Sequence, residues 1–302
     1  MPLTIGSRGS QLALWQAHWV KRELEARGET CRIEIIKTTG DRITDVPLAK
    51  VGTKGLFTKE IEEALLDGRI DLAVHSLKDL PTELPAGLII AAIPAREDPR
   101  DALVGATLTT LASGARVGTS SLRRVAQLRA VRPDLAIESV RGNVDTRLRK
   151  LGEGQYDALV MAAAGLRRLG WEARIAESLP VDVMCPAVGQ GALAIETREA
   201  SDAARSCARL DDTATRLGVE AERAVLATLG GGCQVPIGAY GRIAGDRLDL
   251  VAIVASPDGT RLIRKNAAGP AGERVRIGEE LGRQLLDAGA RGILDEVYSA
   301  GR

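Results

Sequence analysis

Short apolar segments alternate with amphipathic segments along the first two thirds of the chain, and this alternation constrains the fold more than any other feature. Residues 3–7 are predicted to form a strand, and residues 10–26 place their apolar side chains at helical spacing. A second series of strands and helices follows from residue 116 to residue 161. Because such alternation builds sheets that are covered by helices, the pattern predicts an α/β fold with two successive sheets.

Two interruptions of this pattern mark the expected domain boundaries in a chain of 302 residues, a length that suits two or three domains. Pro94–Asp101 combines two prolines with alternating charges, which favours a hinge over a packed element. Pro180–Gly191 is the second break, and the strand predicted after it can rejoin the first sheet. A strand pair followed by a helix then predicts a small C-terminal α+β domain. The predicted domains are residues 1–95 with 191–212, residues 96–190, and residues 213–302.

The composition argues against several functional classes. The 41 basic and 40 acidic side chains leave a net charge of +1, and the aromatic residues are only one Phe, three Tyr and three Trp. A nucleic-acid partner is therefore not expected. Two histidines and four widely separated cysteines argue against a metal site. The sequence shows no signal peptide and no apolar run of bilayer length, so we expect a cytoplasmic protein without a membrane partner.

Basic side chains are concentrated in one segment, although the chain as a whole is nearly neutral. Between residues 116 and 150, nine basic residues stand against three acidic ones. The basic residues are Arg116, Arg123, Arg124, Arg129, Arg132, Arg141, Arg147, Arg149 and Lys150. Arginine binds carboxylates and phosphates in a bidentate manner. A solvated helix face or an arginine-rich composition would give the same cluster, and charge alone does not decide between these interpretations.

Three turns that lead from a strand into a helix have the form of an anion site. They span residues 6–10, 117–124 and 140–143, and each contains arginine. A helix N-terminus offers unpaired N–H groups and a positive dipole end to an anion. The alternative is that Ser10 and Ser120 or Ser121 only cap helices, as serines commonly do. Gly52–Gly55 lacks the spacing of a phosphate-binding loop, so we do not expect a nucleotide site there.

Two further segments contain residues suited to chemistry. Asp79, beside Lys78, follows a predicted buried strand, and an ionised carboxylate there can stabilise positive charge on a ligand. Asp79 can equally be a turn former before Pro81. Cys233 follows three glycines, which leave its sulfur uncrowded on a mobile backbone. A buried free thiol after a glycine turn is the alternative interpretation.

Taken together, these segments resemble the porphobilinogen deaminase family nearly from end to end. The matching motifs are Ser7–Ser10 with Leu12–Ala17, Lys50–Phe57, Val74–Asp79, Val117–Arg124, Arg141–Asn143, Pro186–Ala192 and Gly231–Pro236. The resemblance implies two α/β lobes like those of periplasmic binding proteins plus the small C-terminal domain. It also implies a monomeric transferase that condenses four porphobilinogen molecules, head to tail and with release of ammonia, into linear hydroxymethylbilane.

The resemblance implies roles for individual residues as well. Cys233 would hold a dipyrromethane primer through a thioether, and Asp79 with Lys78 would be catalytic. The residues implied to bind this cofactor are Cys233, Arg8, Ser10, Ser76, Lys78, Asp79, Thr119, Ser121, Arg123, Arg124, Arg141, Gly142 and Gln190. The residues implied to bind substrate are Arg8, Lys54, Phe57, Arg141 and Arg147.

Two other functions remain open from the residues alone. A non-enzymatic two-lobed binding protein for a polycarboxylate metabolite would share the sheets and the basic segment, but it would not need Cys233 or Asp79. A nucleic-acid module would use the basic segment, and its binding would weaken as salt is raised.

Overall fold

The computed structural model describes residues 2–42, 56–230 and 235–300. These residues form two compact units, Met1–Glu97 with Ala192–Arg216 and Asp98–Gly191 with Leu217–Arg302. The division into three domains stays a prediction. In chain order the elements are β1 (Leu3–Ser7), α1 (Gln11–Glu25), β2 (Cys31–Ile35), α2 (Thr39–Arg42), α3 (Lys59–Leu66), β3 (Leu72–Ser76), β4 (Leu88–Ala92), β5 (Asp101–Val104), β6 (Arg116–Gly118), α4 (Leu122–Val131), β7 (Ala136–Glu138), α5 (Val144–Gly152), β8 (Ala158–Ala162), α6 (Ala163–Arg168), β9 (Ile175–Ser178), β10 (Leu193–Arg198), α7 (Asp202–Ala208), α8 (Thr213–Thr228), β11 (Ile237–Ala244), β12 (Arg247–Ala255), β13 (Leu262–Pro270), α9 (Arg274–Leu285) and α10 (Arg291–Ala300).

The first unit is built on a five-stranded sheet in the order β2-β1-β3-β10-β4. Strand β1 is parallel to both β2 and β3, and helices cross between these strands as parallel pairing requires. Strand β10 is antiparallel to β3 and β4, so the segment after the second break does rejoin the first sheet, as predicted. Helices α1 and α7 pack on one face of the sheet, and α3 packs on the other.

The second sheet has the order β7-β6-β8-β5-β9 and repeats the plan of the first. Strands β6, β7 and β8 pair in parallel, and β5 is antiparallel to β8 and β9. In both sheets the antiparallel strand in the fourth position is one that follows a crossing from the other unit. The predicted α/β class with two successive sheets is confirmed.

Helix α1 illustrates how the local sequence sets an element. Ser10 precedes it in extended backbone conformation and accepts the N–H of Ala13 through its side chain, at 3.4 Å. The apolar residues Ala17, Val20 and Leu24 recur at helical spacing and are fully buried against the sheet. None of the helices in the described part of the chain combines the length and apolar character needed to cross a membrane.

The C-terminal part of the second unit is a three-stranded antiparallel sheet in the order β11-β12-β13. Helices α8, α9 and α10 bury their apolar side chains against it in one shared core. A break at Gly289, whose φ of 102° lies in the left-handed region, separates α9 from α10. The predicted α+β character of this part is confirmed, although β11 and α10 were not predicted.

The predicted hinge is wrong at its C-terminal end. The sequence of Pro94–Asp101 favours a hinge over a packed element. In the structure, however, Asp101 is the first residue of β5 and is fully buried. The three residues after it, Ala102–Val104, are buried as well. A carboxylate can occupy this position because two arginine side chains of the same unit bind it, as described below.

Helix α8 places a second carboxylate fully inside the second unit. Glu222 accepts the backbone N–H of Gly189 at 2.7 Å through one oxygen and that of Gly241 at 2.9 Å through the other. Gly241 has no room for a side chain, since a Cβ there would lie 2.6 Å from the Gly218 carbonyl oxygen. The carboxylate therefore connects the 186–191 segment to β11 where helix and strand backbones are in close contact.

Glu222→Ala is expected to lower the free energy of unfolding by about 3–5 kcal/mol, because two buried N–H groups lose their acceptor and a cavity forms. Urea denaturation measures this difference. Glu220→Ala is the matched control, since Glu220 lies on the same helix in a half-buried ion pair with Arg274 and is expected to contribute less than about 1 kcal/mol. Equal losses for the two variants would contradict the assignment.

Candidate active site

Two polar turns lie at the same edge of the first sheet. Strands β1 and β3 are parallel neighbours, so their carboxyl ends face the same way. The turn Arg8–Ser10 follows β1, and a 3₁₀ turn, Leu77–Asp79, follows β3. Ser10 caps α1, as its alternative interpretation had it, and its role toward a ligand stays a prediction.

Arg8 and Phe57 are in contact at this edge. The guanidinium carbon of Arg8 lies 4.1 Å from the centre of the Phe57 ring, which is the geometry of a cation–π interaction. Both side chains are half-buried, so the ring holds the guanidinium while part of it remains accessible. Lys54, the third predicted substrate-binding residue of this unit, lies outside the described residues.

The end of β3 presents the predicted catalytic pair. Ser76 accepts a hydrogen bond from the buried side-chain amide of Gln16, at 3.0 Å, which ties β3 to α1. Lys78 is half-buried and Asp79 is exposed on the turn that follows. The carboxylate of Asp79 is thus open to a ligand at the carboxyl end of a central strand.

A buried acidic cluster lies behind this turn on the α3 side of the sheet. His75 Nε2 is 3.0 Å from Glu196 Oε2, and the Glu196 side chain is completely inaccessible. Within the described part of the chain, the other oxygen of Glu196 and Oε1 of Glu62 have no hydrogen-bond partner. Burial, together with the negative charge of Glu196, raises the pKa of Glu62 above its ordinary value of 4.5.

Glu62→Gln is expected to make the protein more stable than the wild type as pH rises. A carboxyl whose pKa is raised by folding favours the folded state below its ordinary value, and this contribution is lost as pH rises through the raised pKa. The stability gain of the variant should therefore grow as pH rises from the ordinary value of 4.5 through the raised pKa, as measured by urea denaturation at a series of pH values. Glu63→Gln is the control, because Glu63 is exposed on the same helix. A pH-independent difference for Glu62→Gln would contradict the expectation.

The second sheet also presents polar turns at its carboxyl edge. Thr119 and Ser121 follow β6, and the Thr119 hydroxyl accepts the backbone N–H of Ser121 at 3.3 Å. Ser121 stands at the N-cap of α4, but its side chain makes no capping hydrogen bond within the described residues. Its hydroxyl is half-buried at the helix N-terminus, the position that the sequence predicts for an anion site.

The turn after β7 is held by the first turns of α5. Gly142 has a φ of 110°, and a Cβ there would lie 2.6 Å from Thr146, so this position requires glycine. Arg147 donates from Nε to the Gly142 carbonyl at 2.8 Å, and Lys150 donates to the Arg141 carbonyl at 3.3 Å. The backbone of the Arg141–Asn143 turn is therefore fixed from both sides.

The arginines of this unit influence one another strongly. Burial and the positive charges of Arg124 and Arg141 lower the pKa of Arg147 to about 10. Burial also lowers the pKa of Arg124. Such shifts arise where cations are held close together in a poorly hydrated place. An anion bound among these side chains would relieve their repulsion.

Arg123 and Arg124 are buried and share one carboxylate. Arg123 Nη1 donates to Asp101 Oδ2 at 2.7 Å, and Arg124 Nε donates to Asp101 Oδ1 at 2.9 Å. Gln190 donates to the same Oδ1 at 3.0 Å. Burial favours the neutral acid, but the two guanidinium charges outweigh it and hold the pKa of Asp101 well below its usual range.

The sequence did not identify Asp101, Glu62 or Glu196 as notable. Asp101 was assigned to a hinge, and its only local signal is the apolar run that follows it. Glu62 and Glu196 lie in segments of ordinary amphipathic character, and only the pairing of β3 with β10 brings Glu196 beside His75.

The three described cysteines are poor nucleophiles. Burial raises the pKa of Cys31 to about 11 and those of Cys185 and Cys207 to about 12. All three thiols are free and buried. Cys233 lies outside the described residues. Over the described ranges, no group of three or more His, Cys, Asp or Glu side chains is arranged to hold a metal ion.

Comparison with known families places the chain. Residues 3–206 match the family model "Porphobilinogen deaminase, dipyromethane cofactor binding domain", and residues 216–287 match "Porphobilinogen deaminase, C-terminal domain". The chain belongs to the porphobilinogen deaminase family. The resemblance drawn from its motifs is confirmed, and family membership makes dipyrromethane the cofactor to be accommodated.

Curated relatives match over almost their whole length. The porphobilinogen deaminase of Geobacter sulfurreducens is 53% identical over 98% of this chain and 95% of its own. That of Roseiflexus castenholzii is 54% identical over 97% and 98% of the two chains. Among solved structures, a periplasmic substrate-binding protein of an ABC transporter from Coxiella burnetii covers 71% of this chain and 94% of its own, with 14% identity and a TM-score of 0.43.

Proposed function

We propose that this chain is a transferase that condenses four porphobilinogen molecules head to tail into linear hydroxymethylbilane, with release of ammonia. The observation that carries the proposal is the match of the two family models, which together span residues 3–206 and 216–287. The alternative, a non-enzymatic binding protein for a polycarboxylate, has no support among the relatives. A cytoplasmic location and a monomeric state stay predictions.

The arginines of the second unit fit a ligand that carries several carboxylates. The dipyrromethane cofactor and porphobilinogen both carry acetate and propionate groups. Arg141 and Arg147 would bind such groups, because burial and the nearby positive charges of Arg124 and Arg141 lower the pKa of Arg147, and a bound anion would offset that crowded charge. Thr119 and Ser121 would add hydroxyl donors at the N-terminus of α4.

The residues at the edge of the first sheet would act on the substrate itself. Asp79 is exposed, so its carboxylate can accept hydrogen bonds from pyrrole N–H groups and stabilise positive charge that develops on the ring. Lys78 beside it would bind a carboxylate. Arg8, held by Phe57, would bind another. When bound, the cofactor supplies the terminal pyrrole carbon to which the first substrate is joined.

Cys233 is the proposed attachment point. The other three cysteines are buried and have raised pKa values, which leaves their sulfur atoms neither ionised nor accessible to a bulky adduct. The three glycines that precede Cys233 place no side chains beside its sulfur.

Intact mass spectrometry and a turnover assay test the function together. The purified chain should carry the added mass of a dipyrromethane. Incubated with porphobilinogen, it should release ammonia and hydroxymethylbilane, which is followed by its conversion to porphyrin. A folded protein that binds porphobilinogen without consuming it would contradict the proposal and support the binding-protein alternative.

A further inference from the structure

Asp101 holds the two arginines at the start of α4 on the same side. Consecutive helical residues point about 100° apart, so adjacent arginines do not converge unless something binds both. Here Asp101 Oδ2 accepts from Arg123, and Oδ1 accepts from Arg124, with distances of 2.7 and 2.9 Å. Asp101 is completely buried, which makes this arrangement insensitive to solvent.

Gln190 fixes the position of the Asp101 carboxylate. Its side-chain amide donates to Asp101 Oδ1 at 3.0 Å and to the Pro99 carbonyl at 2.8 Å, and it is itself buried. Its carbonyl oxygen lies 3.5 Å from Arg124 Nη2. The carboxylate is thus held by an amide whose own position is set by the backbone just before β5.

The remaining donors of the arginines are directed as well. Arg123 Nη1 also donates to the Cys185 carbonyl at 2.6 Å, and Arg124 Nη1 donates to the Val160 carbonyl at 3.1 Å. Within the described residues, Nε of Arg123 is buried and has no hydrogen-bond partner. One carboxylate therefore orients two guanidinium groups and leaves this end of α4 positively charged.

We propose that Asp101, fixed by Gln190, is a positioning residue that sets the geometry of Arg123 and Arg124 and, through their charge, the strength with which Arg147 binds a substrate carboxylate. The inference rests on the proposed function. The direction in which substrate affinity changes when Asp101 is removed distinguishes this role from a purely electrostatic one. If Asp101 only lowered the local positive charge, its removal would strengthen the binding of an anionic substrate. If it positions the arginines, its removal weakens that binding despite the added positive charge.

Asp101→Asn in the cofactor-loaded enzyme tests the direction of this change in substrate affinity. We expect KM for porphobilinogen to rise about tenfold, while kcat changes by less than about threefold, because binding geometry is lost rather than a group that acts in the chemical step. Asp98→Asn is the matched control. Asp98 also lies between two arginines, but these are Arg100 and Arg167, so Asp98→Asn should leave KM unchanged.

Gln190→Met is the second variant, for the case in which Asp101→Asn fails to fold. This substitution removes the amide that fixes Asp101 and leaves every charged side chain in place. It should raise KM about threefold, and its thermal unfolding midpoint checks that the fold is intact. A double variant, Asp101→Asn with Gln190→Glu, returns one negative charge to the cluster in a different place. It should recover stability but not the wild-type KM.

The outcomes separate this inference from the function on which it rests. A wild-type chain without turnover overturns the proposed function. A wild-type chain with turnover, together with an unchanged or lowered KM in folded Asp101→Asn and in Gln190→Met, overturns the positioning role. Full recovery of KM in the double variant would also overturn it, because charge alone would then suffice.

Discussion

Asp79→Asn is expected to retain the bound cofactor and to lose turnover by about 100-fold or more. The amide has nearly the shape of the carboxylate but carries no charge, so it cannot stabilise positive charge on a pyrrole ring. Asp79 is exposed at the end of the turn after β3, and no core contact is lost on substitution. The fold should therefore be unaffected.

Initial rates with porphobilinogen, together with the intact mass of the variant, measure this expectation. Glu83→Gln is the matched control, because Glu83 is an exposed carboxylate four residues further along the same segment and should change kcat little. Near-normal product formation by Asp79→Asn would remove Asp79 from the mechanism. Loss of the cofactor mass would assign Asp79 to cofactor retention instead of turnover.

Cys233→Ser is expected to lack the added cofactor mass and to form no product above background. A serine hydroxyl is not ionised near neutral pH and is a far weaker nucleophile than a thiolate. Cys185→Ala serves as the control, since Cys185 is completely buried and its raised pKa keeps the thiol protonated. The control should keep the adduct. An adduct that persists on Cys233→Ser, located by peptide mapping, would identify a different attachment residue.

Local periodicity was sufficient to predict much of the fold. The strand Leu3–Ser7 has the bounds that its sequence predicts, and the helix predicted over residues 10–26 forms at Gln11–Glu25. Strands β5 and β11 were missed, because a charged residue opens the first and glycines interrupt the second. Strand β5 pairs with the distant strands β8 and β9, and β11 pairs with β12, the next strand in the chain. In both, strand pairing overrides weak local preference.

Some residues of the candidate site are predictable from the sequence, and others are not. Clustered arginines are visible in the sequence, and the motif resemblance added Asp79 and Cys233. The carboxylate that organises Arg123 and Arg124 lies 22 and 23 residues earlier in the chain, in a segment whose prolines and charges favour a hinge. Spacing along one sequence does not show which charges meet inside a fold, so such partners become visible only in the structure.

The position of β10 in the first sheet has a consequence for biosynthesis. Glu196 on β10 meets His75 on β3 across 121 residues of sequence, and β4 pairs only with β10 in the described sheet. The ribosome therefore releases β3 and β4 long before their common neighbour exists. Until then β3 can pair with β1 along one edge only, and β4 has no partner strand in the sheet. Closing such distant contacts is slow. A nascent chain that stalls before residue 193 exposes the free edge of β3 and an unpaired β4, which makes it a substrate for chaperones and a source of aggregation.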